Sequence, residues 1–156
     1  MKNRLKGFTL IEMMLYIGLF SIILIIVISF MLSTQESARR TEGQENLFRS
    51  SQFINQHINI IVNEADSIDE TNTVFDDDEG HLGLIIDTLP KSYQLINQRL
   101  YFDGTVISNS KIVVNKFYIS PVYDELDIVG VRLDIEIADS SNLTVIDEIN
   151  ILKIFE

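Results

Sequence analysis

The chain has no cysteine and only two prolines among its 156 residues. The lack of cysteine excludes disulfides, thiolate catalysis and cysteine-ligated metal sites. The folded domain must therefore be stabilised by packing alone or by a bound ion. Both prolines lie at or beyond Pro90, so no proline interrupts a helix in the first half of the chain.

Basic residues are scarce: 12 Lys and Arg stand against 23 Asp and Glu, for a net charge of -11. Three of the basic residues, Lys2, Arg4 and Lys6, fall within the first seven positions. Without them the net charge becomes -11 - 3 = -14. Nucleic acid and anionic lipid headgroups would repel so acidic a chain, which disfavours DNA as a partner.

Uncharged residues run without a break from Met13 to Leu32. As a helix this run would be roughly 30 Å long, about one hydrocarbon thickness. The basic residues before it predict a cytoplasmic N-terminus. The run is longer than the core of an ordinary secretory signal, and no small-x-small cleavage site follows it. A simple signal anchor is one interpretation.

Glu12 does not fit a simple anchor, because a carboxylate in a membrane segment costs on the order of a few kcal/mol near mid-bilayer and less at its edge. If the chain were cut before Phe8, a new α-amino group would lie one helical turn before Glu12. The helix dipole favours an acid in the first turn. The carboxylate would also neutralise the amine of a neighbouring chain, in one register only, since misalignment leaves a buried charge unpaired.

The segment Lys6-Gly7-Phe8-Thr9-Leu10-Ile11-Glu12 resembles the processing and N-methylation motif of type IV pilins and of the pseudopilins of type II secretion. The resemblance implies that a prepilin peptidase cuts after Gly7 and methylates Phe8, and that Glu12 is the assembly carboxylate. It implies as partners other pilin or pseudopilin subunits, the peptidase, an inner-membrane assembly platform and membrane lipid. It also implies a prokaryotic single-pass inner-membrane precursor with an extracytoplasmic head, and a mature form in a periplasmic or surface filament.

An apolar stripe of helical period predicts that the helix continues to about Ala65. Its members are Leu47, Ile54, Ile58, Ile61 and Ala65. A helix from Phe8 to Ala65 would be roughly 87 Å long. Gly43 is a weak point, costing about 1 kcal/mol relative to alanine.

Beyond the helix, turn signals and alternating apolar residues predict β-strands. The predicted strands cover residues 82–86, 92–96, 99–102, 111–119, 127–137 and 143–155, with the fourth ending before Pro121. The fold class is therefore α+β, a long N-terminal helix packed against an antiparallel sheet. The order of these segments is similar to J-type minor pseudopilins and W-type minor pilins, which implies a place near a filament tip.

Four parts of the chain are expected. Residues 1–7 form a cleaved basic leader, residues 8–32 a transmembrane or filament-core helix, residues 33–65 its amphipathic continuation and residues 66–156 a β-rich head. A single-pass anchored module that binds carbohydrate, protein or DNA without polymerising is the alternative. Retention of the leader would distinguish that alternative.

The acidic run Asp76-Asp77-Asp78-Glu79 precedes Gly80 and suggests a Ca²⁺ site on Asp76, Asp78 and Glu79, since hard oxygen ligands suit calcium. The run lacks the spacing of an EF-hand loop, and a solvated acidic loop is the competing interpretation. No other cofactor is expected. The two histidines have no plausible triad and no Gly-x-Ser-x-Gly occurs, so no enzymatic activity is predicted.

Overall fold

The computed structural model describes residues 9–140 and 142–155, with the side chains of 142–145 excepted. The fold is α+β, as predicted. It divides into two compact units with the boundary between Thr41 and Glu42. One α-helix, α1, spans Leu10–Glu64 and contributes to both units.

The first unit consists, in its described residues, of α1 up to Thr41, and every one of those residues is exposed. Its surface is stabilised by local pairs one turn apart. Arg40 donates to Glu36 at 2.6 Å, and the Thr41 hydroxyl donates to the Ser37 carbonyl at 3.0 Å. Such contacts support a helix but bury nothing.

The second unit, called the head here, has two antiparallel sheets rather than the single sheet predicted from the sequence. The first sheet contains β1 (Ser67–Ile68), β2 (His81–Ile86), β3 (Leu89–Ile96), β4 (Arg99–Phe102) and β5 (Thr105–Val106) in chain order, with a short 3₁₀ turn at Glu70–Asn72. The second contains β6 (Ile112–Asp124), β7 (Asp127–Asp139) and β8 (Asn142–Ile154).

Three successive hairpins of the first sheet turn through two-residue loops. The loop pairs are Asp87-Thr88, Asn97-Gln98 and Asp103-Gly104, and all six residues have positive φ. Positive φ at both central residues is the type I′ geometry, whose twist matches that of the strands it joins. The second and third of these turns agree with the turn signals in the sequence.

The core lies between the second half of α1 and the inner faces of the strands. Leu47, Ile54, Ile58 and Ala65 are buried as predicted, whereas Ile61 is only half-buried and Val62 is buried instead. Strand residues complete the core, among them Leu84, Tyr93, Leu100, Phe117, Leu133 and Ile137.

Gly43 lies where α1 closely approaches the end of β7, so it is more than a weak point in the helix. An added Cβ there would lie 2.6 Å from Oδ2 of Asp139, a carboxylate only 3% exposed at the end of β7. Only glycine lets α1 come this near to that side chain.

Strand β6 continues through Pro121, so the prediction that it stops before that residue was wrong. Phe117 and Ile119 direct their backbone polar groups away from β7, towards residues 76–80. By alternation the missing N–H of Pro121 falls on the same side, where no ladder bond to β7 needs it. Strand β3 likewise begins before Pro90 rather than at Ser92.

Candidate processing and assembly site

Thr9 and Glu12 form a capping box at the start of α1. The Glu12 backbone N–H donates to the Thr9 hydroxyl at 3.3 Å, and the Thr9 N–H donates to Glu12 Oε2 at 3.4 Å. The first helical bond, from Met13 N–H to the Thr9 carbonyl, is 3.2 Å long. Two N-terminal donors that a helix leaves unsatisfied are thereby satisfied.

Glu12 therefore lies in the first turn of α1, where the dipole favours a negative charge. Gly7 and Phe8 lie outside the described residues. The role of Thr9 was not predicted from the sequence. The signal was present, because Thr9-x-x-Glu12 matches the capping-box spacing directly before an apolar run.

The apolar part of α1 is long enough to cross a membrane, and no part of that stretch is buried. Two hydroxyls in or beside this stretch bond within the helix. Ser21 donates to the Ile17 carbonyl at 2.8 Å, and Thr34 donates to the Phe30 carbonyl at 2.9 Å. Such internal bonding lets polar side chains sit in an apolar environment without an orphaned donor.

Residues 2–28 match the family model of the prokaryotic N-terminal methylation motif. The chain carries a prepilin signal. This is the signal of type IV pilins and pseudopilins, and it confirms the resemblance identified from Gly7, Phe8 and Glu12. Comparison with curated proteins and with solved structures gives no match.

The prepilin signal supports a type IV pilin-like or pseudopilin-like protein that prepilin peptidase processes. Together with the apolar helix it supports membrane anchoring and interaction with other pilin subunits. It is a signal typical of structural proteins.

The acidic run 76–79 lies against β6. Tyr118 donates its hydroxyl to Asp76 Oδ1 at 3.1 Å, and this bond is the main cause of the raised pKa of Tyr118. Lys116 pairs with Asp78 at 3.6 Å. The Glu79 N–H donates to Asp77 Oδ1 at 2.8 Å.

Backbone bonds also hold this run to β6. Phe117 donates to the Asp78 carbonyl at 2.8 Å and accepts from Gly80 at 3.0 Å. Over residues 9–140 and 142–155, no three acidic or histidine side chains converge as metal ligands would. Calcium binding by Asp76, Asp78 and Glu79 stays a prediction.

Both histidines bond to neighbours in the head. His57 Nδ1 lies 2.8 Å from the hydroxyl of the fully buried Tyr93, and burial lowers the pKa of His57. His81 Nε2 lies 3.2 Å from Gln94 Nε2, and burial also lowers the pKa of His81, against the opposing charge of Asp69. These contacts link elements of the head.

Proposed function

We propose that this chain is a structural subunit, a minor pilin or pseudopilin, of a type IV pilus or type II secretion-like filament. Prepilin peptidase cuts between Gly7 and Phe8 and methylates Phe8, and the mature chain assembles through α1. The observation that carries the proposal is the coincidence of a prepilin signal with a helix whose first turn holds Glu12.

The geometry at Glu12 suits an intersubunit contact. The Glu12 carboxylate accepts from Thr9 through Oε2, and a carboxylate has about four acceptor sites in total. Oε1 can therefore accept from the α-amino group of a neighbouring mature chain. Ion pairing in an apolar bundle would fix the register between adjacent helices, because a displaced neighbour leaves a charge unpaired.

Topology follows from the same elements. The basic residues before Phe8 support a cytoplasmic N-terminus, with the head on the other side of the membrane. The unburied apolar half of α1 lies in lipid before assembly and among other subunits' helices afterwards. The similarity in segment order to minor pseudopilins and minor pilins supports a place near the filament tip.

Intact-mass analysis of the chain from the membrane fraction tests processing. We expect a species that begins at Phe8 and carries one added methyl group. Retention of residues 1–7 would refute the proposal and favour the anchored binding module. As a matched control, Gly7→Leu should abolish cleavage while leaving membrane insertion intact.

Substitution of Glu12 tests assembly. Glu12→Gln and Glu12→Ala should leave membrane insertion and leader removal unchanged, but reduce incorporation into sheared filaments by about tenfold or more. A loss of about 1.4 kcal/mol of contact free energy between subunits corresponds to a factor of ten. Glu36→Gln removes an exposed acid of the same helix and should have no such effect. Wild-type incorporation of both Glu12 variants would refute the assembly role.

A further inference from the structure

Strand β8 leaves one long edge of the head open. It spans Asn142–Ile154 and pairs with β7 along one side. Among the described residues, no backbone hydrogen bond joins the other side of β8 to another segment. We call that side, over residues 146–154, the open edge. Unpaired N–H and C=O groups along such an edge can pair with an added strand.

The other sheet edges of the head are short or covered. The outer strands of the first sheet, β1 and β5, have two residues each. The outer side of β6 is bonded to residues 76–80, where Phe117 donates to the Asp78 carbonyl at 2.8 Å. Short or covered edges prevent unwanted pairing in native proteins. In contrast, β8 has 13 residues, contains neither proline nor glycine and keeps an unbroken register with β7 over residues 146–154.

Alternation along β8 decides which residues face the open edge. The Phe155 N–H donates to the Val129 carbonyl of β7 at 2.7 Å, so every second residue before Phe155 also directs its backbone polar groups towards β7. The residues between them direct their N–H and C=O groups to the open edge, and their side chains are exposed on the outer face of the sheet. These residues are Ile146, Glu148, Asn150, Leu152 and Ile154. The Glu148 N–H donates to the adjacent Asp147 carboxylate at 3.1 Å, a local bond that the carbonyl of an added strand can replace.

The side chains beside the open edge suit a basic partner. Glu148 lies directly opposite Glu136 of β7, which in turn lies opposite Lys116 of β6. Lys116 pairs with Asp78 at 3.6 Å, and the Glu148 carboxylate has no bonding partner within the described part of the chain. Like charges directly opposite each other in a sheet are destabilising. A cation on the far side of Glu148 would offset that repulsion.

A depression on the outer face of the second sheet has the same preference. Its volume is about 270 Å³, and its lining includes the carboxylates of Asp134, Glu136 and Glu148 but one ammonium group, that of Lys116. Over the described ranges 9–140 and 142–155, no three such acids converge as metal ligands would. The lining therefore suits the long cationic side chain of a lysine or arginine better than a metal ion.

The charge of the head disfavours a second copy of this chain on the open edge. Five of the 12 Lys and Arg and two of the 23 Asp and Glu precede residue 42. The head therefore has seven basic and 21 acidic residues, for a net charge of 7 - 21 = -14. Two such heads repel each other, and pairing of two β8 strands would add a second Asp147 and Glu148 to the contact. A basic segment of a different protein is attracted instead.

We propose that the open edge of β8 binds an extended segment of a different protein as an added antiparallel strand. The outward side chains of that segment are a lysine or arginine opposite Glu148 and apolar residues opposite Ile146 and Leu152, which are themselves half-exposed. Main-chain hydrogen bonds supply the affinity of such a contact, and alternate side chains supply its specificity. The inference goes beyond the proposed function, because neither leader cleavage nor assembly through α1 requires it.

A fluorescent peptide as long as residues 146–154 tests the contact on the full chain in detergent micelles. Its lysine lies opposite Glu148 in the antiparallel register. Valine lies opposite Ile146, Leu152 and Ile154, and every other position is threonine. We expect saturable binding by fluorescence anisotropy, together with slower amide hydrogen exchange at the residues that face the open edge. No saturable binding at millimolar peptide would overturn the inference.

Backbone N-methylation of the peptide distinguishes strand addition from a loose contact. The N–H of the central residue, opposite Asn150, faces β8, so a methyl group there should weaken binding by about tenfold or more. The N–H of the next residue faces away from β8, so the same methyl group there should change binding by less than about twofold. Equal losses from the two methylated peptides would contradict strand addition.

Asn150→Pro should close the open edge. The Asn150 N–H is directed away from β7, so proline removes an edge donor without removing a ladder bond, as Pro121 does within β6. The variant should bind the peptide at least about tenfold more weakly, whereas the matched control Asn150→Thr should bind like wild type. Urea unfolding checks that both variants are folded. Wild-type affinity in a folded Asn150→Pro would overturn the inference, and if that variant does not fold, the methylated peptides decide on the wild-type chain.

A charge exchange tests the chemistry of the partner. A peptide with glutamate in place of its lysine should bind about threefold to tenfold more weakly. Glu148→Lys should reverse this preference, because the exposed side chain at that position then attracts the acidic peptide. An unreversed preference would overturn the assignment of a basic partner.

Self-association is measured on the same samples by analytical ultracentrifugation. A dimer of the chain that Asn150→Pro abolishes would overturn the choice of a different protein as the occupant. Retention of residues 1–7 in the membrane fraction would refute the proposed function and leave the peptide result standing. The failures of the two proposals are therefore distinguishable.

Discussion

The two units share helix α1, which is exposed all round in the first unit and buries one face in the head. Up to Thr41 every described residue of α1 is exposed, and its contacts are local. From Glu42 onward the helix buries a continuous face against strands. The head therefore carries its own hydrophobic core, whereas the first unit depends on lipid or other chains to cover its apolar side chains. Equivalent substitutions in the two units should have very different effects.

The largest difference should come from isoleucine truncation. Ile54 is fully buried, and Ile54→Ala should lower the free energy of unfolding of the head by about 2–5 kcal/mol through lost burial and a cavity. Ile23 is half-exposed, and Ile23→Ala should change it by less than about 0.5 kcal/mol. Urea unfolding of the full chain in detergent micelles, followed by tyrosine fluorescence, measures both. Equal losses of unfolding free energy would contradict the division into a head with a hydrophobic core and a first unit without one.

Glycine-to-alanine changes in the two units should have effects of opposite sign on stability. Gly43→Ala would place a Cβ against the buried Asp139 carboxylate and should destabilise the head by about 1–3 kcal/mol. A Cβ added at Gly18 would meet nothing within 4 Å, so Gly18→Ala should favour the helix by up to about 1 kcal/mol. Urea unfolding and far-UV circular dichroism are the measurements. A stabilising Gly43→Ala would show that Asp139 moves aside freely.

Lowering the pH should reduce the free energy of unfolding of the head, because burial favours the neutral form of its histidines. Burial lowers the pKa of His57, so the folded head favours the neutral ring. The contribution of His57 to the stability of the head is present above the unfolded pKa of about 6.5 and is lost as the pH falls below that value. One histidine adds a slope of at most about 1.4 kcal/mol per pH unit.

Unfolding at pH 7.5 and pH 5.5 for wild type and His57→Gln measures this contribution. The pH dependence of the variant should be shallower. His81→Gln should act in the same direction, because burial also lowers the pKa of His81. A variant slope identical to that of wild type would remove His57 as a source of the effect.

The smallest effect should come from the surface of the first unit. Glu36→Gln breaks an exposed pair with Arg40 and should reduce helical stability by about 0.2–0.5 kcal/mol. Thermal scans of helical circular dichroism at low and high salt would detect it. A salt-independent loss above about 1 kcal/mol would mean that the pair has a role beyond the helix surface.

Much of the fold was predictable because its signals are local. Helical periodicity placed the buried face of α1, and alternation placed β7 and β8. The course of β6 through Pro121 was not predictable. The neighbouring strands decide whether a ladder hydrogen bond needs the backbone N–H at that position, and the sequence does not show which strands those are. The separation into two sheets was likewise hidden, because it depends on non-local strand pairing.

The candidate site follows the same rule. Glu12 was identifiable from a charge in an apolar run, and Thr9 was identifiable from its spacing to Glu12. The partners of the acidic run were not, because Lys116 and Tyr118 lie some forty residues further along the chain and meet Asp78 and Asp76 only after folding. The approach of Gly43 to Asp139 likewise joins distant segments.

The sharing of α1 between the units has a mechanical consequence. A tensile load applied along the N-terminal half of the helix reaches the head through the side chains of its C-terminal half. The elements resisting such a pull are the packing of Leu47, Ile54 and Ile58 and the polar contacts from Glu42 to Lys111 and from Asn63 to Lys153. Under force, α1 should slide out of the head before the long ladders of β6, β7 and β8 separate.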